Sequence, residues 1–248
     1  MTMEKTIEKR TELINFFFNE DKTYSKQDVL YKEFAVLSFS PHEDYIDTVT
    51  SPFDDMCIDL STFDYNDTDE CYIKGIVADV DKQRYKTIMH LQNKKHNVSI
   101  HISIDLANHY QSFLNVGEPV IIKCKVWNKK FFMSMLVALN DLNSDVFSNE
   151  IAYMDGSAID TLREYQPTKK DEGYNFALIR ECTQIRTKSG KDMIRGTLCM
   201  QDGESKDFGC MLTFLNHTLN GIIPRSGDFI KYKSNHDFFI NSTEVVSL

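Results

Sequence analysis

Lys82-Gln83-Arg84-Tyr85-Lys86 sets three cations around one phenol ring within five residues. Flat rings stack on nucleobases and cations meet phosphate, each stack being worth roughly 1–3 kcal/mol. Lys123-Cys124-Lys125-Val126-Trp127-Asn128-Lys129-Lys130 repeats the mixture around the chain's single tryptophan. Arg186-Thr187-Lys188-Ser189-Gly190-Lys191, followed by Arg195, offers guanidinium planes that can stack on a base as well as pair with phosphate. Tyr72 and Lys74 add a further ring and cation. The candidate nucleic-acid contacts are therefore Lys74, Lys82, Arg84, Tyr85, Lys86, Lys123, Lys125, Trp127 and Lys129, with Arg186, Lys188, Lys191 and Arg195 in a second group. Lys130 extends the first set. The competing reading has Tyr72, Tyr85 and Trp127 filling a core that the lysines merely solvate. The concentration of positive charge at residues 82–86 favours binding there.

Other chemistries find less support. Six cysteines are scattered with no CxxC pair and no Cys/His cluster, which speaks against zinc and against a disulfide framework. The seven histidines adopt no ligand spacing, and no Gly-x-Ser-x-Gly elbow accompanies them. Asp54, Asp55, Asp59, Asp64, Asp67 and Asp69 match no calcium loop and lack its turn glycine. The expectation is a non-catalytic protein without metal or cofactor.

Charge and length set the frame for these residues. The chain has 248 residues and a net charge of -9, an unpromising total for a polyanion ligand. Its distribution is uneven. Residues 1–70 carry 6 basic and 17 acidic side chains, residues 71–140 carry 10 and 4, residues 141–176 carry 3 and 8, and residues 177–248 carry 9 and 8. A phosphate backbone meets local charge, and the central block is basic. No run approaches the ~20 apolar residues of a membrane span. The charged start lacks the apolar stretch of a secretory signal, so a cytoplasmic protein is expected, with no membrane partner.

The elements that must hold these side chains read as a repeat. Residues 72–80, 85–91 and 96–102 have strand character, the last alternating apolar and polar residues with period two. Leu106, Tyr110, Phe113 and Leu114 recur at helical spacing within 104–114. Gly117-Glu118-Pro119 breaks that helix, and strands follow at 120–127 and 131–139, joined by a turn at Asn128-Lys129. Three strands, a helix and two strands is the order of the OB-fold, a five-stranded Greek-key barrel. Residues 176–186, 193–201 and 208–214, a helix at 215–222, and strands near 229–233 and 238–240 repeat the order. Gly227-Asp228 parallels Gly117-Glu118, and Phe238-Phe239-Ile240 parallels Phe131-Phe132-Met133. Of Phe238 and Phe239, one should face the core. The predicted architecture is mainly β: an acidic, partly helical segment at 1–70, an OB-fold at 71–140, an acidic linker at 141–173 with a turn or two of helix at 158–165, and a second OB-fold at 174–248.

Lys32-Glu33 and Ser40-Pro41-His42 fall in the register of a K-E-x-L-G-F-Y-x-S-x-H-P segment. Gly117-Glu118-Pro119-Val120-Ile121-Ile122-Lys123 is similar to G-[DE]-x-V-x-V-x-G, and Thr187 to Met193 to a T-K-[KS]-G-x-x-M turn. On these residues the chain resembles the C-terminal OB region of the bacterial DNA polymerase III alpha subunit over about residues 20–140. Ala35, Val36, Leu37, Ser38 and Glu43 depart from that pattern. The polymerase core, which must hold two metal ions on a palm of its own, has no room in this length. The resemblance implies a stand-alone accessory module of DNA replication, on a phage or mobile element, with single-stranded DNA as ligand. RNA stands beside DNA because stacking is indifferent to the sugar. The alternative is an interaction module docked on a replicative polymerase or sliding clamp. Leu13-Ile14-Asn15-Phe16-Phe17-Phe18 resembles a clamp-binding peptide only in its Phe-Phe ending, and reads better as a helix packed on the body.

Overall fold

The computed structural model describes residues 45–65, 70–84, 86–93, 96–211, 225–234 and 239–245. The segments at 13–18 and 31–44, Tyr85, the helix expected at 215–222 and Phe238 lie outside them.

The first unit is built from β1 (Glu70–Lys82), β2 (Thr87–Asn93), β3 (His96–Ile102), α1 (Ile104–His109), β4 (Pro119–Trp127) and β5 (Lys130–Ala138). Its strands close into a barrel in the order β1-β2-β3-β5-β4. β3 and β5 pair in parallel, and the other neighbours are antiparallel. That circuit is the OB-fold, with its helix between the third and fourth strands. The second unit, from β6 (Asn175–Arg186), β7 (Asp192–Met200), β8 (Ser205–Met211), β9 (Phe229–Ser234) and β10 (Phe239–Val245), closes in the equivalent order.

The duplication extends to single hydrogen bonds. Gly117 N donates to Val77 O at 2.8 Å while Val77 N donates to Glu118 O at 2.9 Å. Gly227 N and Ile179 N make the matching bonds, to Ile179 O and Asp228 O, at 2.9 Å each. Both glycines have φ 91°, a conformation that a Cβ would strain. In each barrel the clasped first strand then slips register, between Val77 and Asp79 and between Ile179 and Glu181. The bulge bends the strand around the barrel at the same place twice. The register of the last strand also repeats, with Phe132 opposite His101 and Phe239 opposite Gly209.

Alternation drives the interior. Ile73, Met89, Leu91, Ile100, Ile122, Cys124 and Phe131 point inward and are buried. Below them α1 starts at Ser103, whose Oγ accepts from Leu106 N at 3.3 Å. The helix is shorter than its spacing suggested: it ends at His109 and continues as a 3-10 turn, Gln111–Phe113. Tyr110 and Leu114 nevertheless stay in the core.

The segment expected as an acidic linker is a structural wedge. It holds α2 (Ser148–Met154) and α3 (Ser157–Glu164). Phe147 and Met154 enter the core of the first barrel, while Ala158 and Leu162 pack with Phe176, Leu178 and Phe229 of the second. Upstream, a helical turn at Tyr45–Thr48 leads into Ile46, Val49 and Phe53, which also join the first core. The wedge and the second barrel cover one outer face of β4. All residues from Pro119 to Cys124 are consequently buried, and alternation becomes visible only from Lys125 onward.

Candidate functional site

Lys123 illustrates the consequence of that cover. Its side chain is 2% exposed. Nζ donates to Arg180 O at 2.6 Å and to Tyr153 Oη at 3.0 Å, and pairs with Glu70 at 3.4 Å. Burial lowers its pKa, against the raising influence of Glu70. Lys123 is a junction residue, and its expected place in the nucleic-acid set is corrected. Lys74 is likewise engaged: it donates to Asp54 Oδ1 at 2.8 Å and to Val49 O, and so fastens the upstream segment to β1. Tyr72, opposite Lys123 on the same covered face, is half-buried, and burial pushes its phenol up to about 12. These three side chains leave the candidate surface.

The remaining members of the first set lie at the other end of the barrel. Lys82, Arg84 and Lys86 are exposed around the β1–β2 loop. Asn128 and Lys129, with φ 49° and 58°, form the two-residue turn joining β4 to β5. That turn displays Trp127 at 64% exposure beside the exposed Lys129 and Lys130. Trp127 meets Phe132, with ring centroids 6.1 Å apart, and Phe132 stacks on His101 at 5.2 Å and 24°. The pKa of His101 is lowered, first by burial and then by Lys86 and Lys130. A neutral imidazole, a phenyl ring and an indole thus run in a row, rimmed by Lys86, Lys129 and Lys130. Their arrangement can stack consecutive bases and hold the phosphates alongside.

His101 and Phe132 were not among the residues selected from the sequence. The signal for Phe132 was present: in Phe131-Phe132 at the start of a strand, one ring must face outward, and Phe131 is the buried one. His101 carried no such mark, since its value comes from lying beside Phe132 across a parallel pair formed by distant segments.

Beyond the row the two barrels part around a groove of about 530 Å³. Its first wall is Lys125, Trp127, Phe132, Met133 and Ser134. Glu181, Thr183 and Ile185 of β6, Arg195 and Thr197 of β7 and Asp207 of β8 line the second. Arg195 therefore does share a site with Trp127. Lys125, however, is paired with Glu181 across the groove. Thr197 Oγ1 lies 3.4 Å from both Glu181 Oε1 and Asp207 Oδ1. Lys188 and Lys191 are exposed on the β6–β7 turn, where Gly190 takes the expected positive φ of 79°. Arg186 belongs to β6, and its side chain lies outside the described set.

Among the described residues, no three His, Cys, Asp or Glu side chains come together as metal ligands do. Among the same residues, no helix is long and apolar enough to cross a membrane.

These features define a chain of paired OB-type barrels with an aromatic row on the first. No protein-family profile and no curated protein sequence matches it. Solved structures similar in part include a replication protein A heterotrimer bound to ssDNA, at 10% identity and TM-score 0.26 over 47% of this chain and 87% of that one. The single-stranded DNA binding protein from Thermus aquaticus, as a deletion mutant, aligns at 8% identity and TM-score 0.22 over 73% and 92%. The S. pombe Stn1–Ten1 complex aligns at 13% and 0.25 over 36% and 74%. Values this low add no weight, and the OB assignment rests on strand order and pairing within the chain itself.

Proposed function

We propose that this chain is a non-catalytic accessory protein of DNA replication that binds single-stranded DNA on its first barrel. The observation that carries the reading is the row His101–Phe132–Trp127 with Lys86, Lys129 and Lys130 at its rim. Its lysines lie at the β1–β2 and β4–β5 loops, which OB barrels commonly use for oligonucleotides, while its rings stand on β3, β5 and β4. The replicative context comes from the resemblance of residues 31–42 and 117–123 to the OB region of the polymerase III alpha subunit. RNA enters the same surface on the same terms.

One observation favours the other reading, a module that docks on a replicative polymerase or sliding clamp. Glu181 neutralises Lys125 in the groove, and Asp207 stands beside them. A partner protein would accept such mixed charge more readily than a phosphate chain would. Titration of a labelled, mixed-sequence single strand separates the two. Saturable binding by the native chain, lost when Lys82, Arg84 and Lys86 are changed together to Glu, supports the single-strand reading. Failure of the native chain to bind, while it still captures a purified polymerase or clamp, replaces it with the docking module.

A further inference from the structure

The groove between the barrels has two unlike walls, and their pairing carries a selectivity. One wall is mainly aromatic: Trp127 and Phe132, with Met133 and Ser134 beside them and Lys125 at its edge. The facing wall is a sheet surface that mixes the acceptors Glu181, Thr197 and Asp207 with one donor, Arg195. Glu181 and Thr197 are cross-strand neighbours, as are Thr197 and Asp207, so the three form a transverse row over β6, β7 and β8. Thr197 Oγ1 lies 3.4 Å from each carboxylate, and its single O–H can donate to either one.

A phosphate chain gains little beside that row, where Glu181 and Asp207 offset Lys125 and Arg195. It belongs on the Lys86–Lys129–Lys130 side, with its bases turned toward the groove. A base that stacks on Trp127 or Phe132 brings its edge into the space bounded by Glu181 and Asp207. Carboxylates only accept, so the edge they favour must donate. Thymine and uracil present one N–H flanked by two carbonyl oxygens, and those oxygens face the carboxylates unfavourably. Cytosine and adenine each offer one amino group. Guanine offers an adjacent N1–H and N2–H₂, the pair of parallel donors that one carboxylate receives in a bidentate bond. Of the two acidic side chains, Glu181 is engaged with Lys125. Asp207 is exposed on its strand, with a long 3.4 Å contact to Thr197.

From this we infer that the inter-barrel groove is a base-selecting subsite for guanine, with Trp127 and Phe132 as the stacking surface and Asp207 as acceptor for the Watson–Crick edge. The second barrel then supplies sequence preference to a strand that the first barrel holds. The inference rests on the single-strand reading above and is separable from it.

The test uses the full chain and three labelled strands of equal length: oligo(dT), the same strand with dG at alternate positions, and the latter with inosine for each dG. Inosine removes the 2-amino group and keeps the ring. The dG strand is expected to bind about tenfold tighter than oligo(dT), in the range of one good bidentate base contact. The inosine strand should fall between them, and Asp207→Asn should bring dG and dT to within about twofold. Equal binding of all three strands by the native chain, with the usual salt dependence, overturns the subsite and leaves single-strand binding intact. A dG preference that survives Asp207→Asn unchanged removes the role given to Asp207. Absence of binding to any strand overturns both readings together.

Discussion

Trp127 is the residue on which the proposed binding surface depends most and the fold least. Its ring is 64% exposed at a hairpin tip, so truncation opens no cavity. Trp127→Ala should weaken oligonucleotide binding by roughly 1–3 kcal/mol, the worth of one stacked base. It should change unfolding stability by no more than about 0.5 kcal/mol. Anisotropy titration and urea unfolding of the same preparation check both halves. His101 adds a pH dependence. In the free protein its pKa is held below 6.5 by burial and by the nearby Lys86 and Lys130. A phosphate arriving between those lysines stabilises the imidazolium, so the complex binds a proton that the free protein releases. Affinity should therefore rise as pH falls toward and below 6.5, and His101→Gln should flatten the profile. A native profile that weakens on acidification would contradict the placement of phosphate beside His101.

The strands were legible in the sequence because each barrel wall has an inward face that must be apolar, and period-two alternation records that face directly. Third-strand limits at 96–102 and the Gly-acid step of both units followed from local chemistry alone. Cover on the outer face was not legible, because the chain that covers it lies elsewhere. Lys123 reads as an outward lysine on an alternating strand, and becomes a buried one only when Arg180 and Tyr153 arrive from the second barrel and α2. Of the wedge helices, α3 falls where a turn or two was expected, at 158–165, whereas α2 was not legible because its few apolar residues divide between two cores. Gly196 shows the same limit within one strand. A Cβ there would fall 2.0 Å from Glu181 O and 2.8 Å from Cys182 Cα, both main-chain atoms of the neighbouring strand. Gly196→Ala should cost about 3 kcal/mol or more as the β6–β7 pair is forced apart. Gly190→Ala, where φ is +79° but nothing lies within 4 Å, should cost only about 1–2 kcal/mol. Urea denaturation of the two variants decides whether their order holds.

At the scale of the whole molecule, the barrels are joined through charged and polar groups, of which Lys123, Glu150 and Tyr110 are buried. Lys123 bonds Arg180 O and Tyr153 Oη, and Arg180 reaches Glu70 at 3.4 Å. Arg225 pairs at 3.2 Å with Glu150, which accepts a 2.9 Å bond from Tyr110 Oη. Lys123→Ala takes the donor from two part-buried acceptors, Arg180 O and Tyr153 Oη, and should destabilise the chain by about 1–3 kcal/mol. Calorimetry should then show two transitions in place of one, as each barrel melts on its own core. Rigid joining bears on the proposed subsite because it sets the groove width between Trp127 and the β6–β8 wall. The most direct test of the account is the salt dependence of single-strand affinity. With Lys86, Lys129 and Lys130 each meeting one phosphate, log K should fall against log salt with a slope of about −2, near 0.7 per contact. Changing the three to Gln should bring the slope close to zero. An affinity indifferent to salt in the native chain, or a slope that the triple substitution leaves unchanged, would contradict a strand held along this aromatic row.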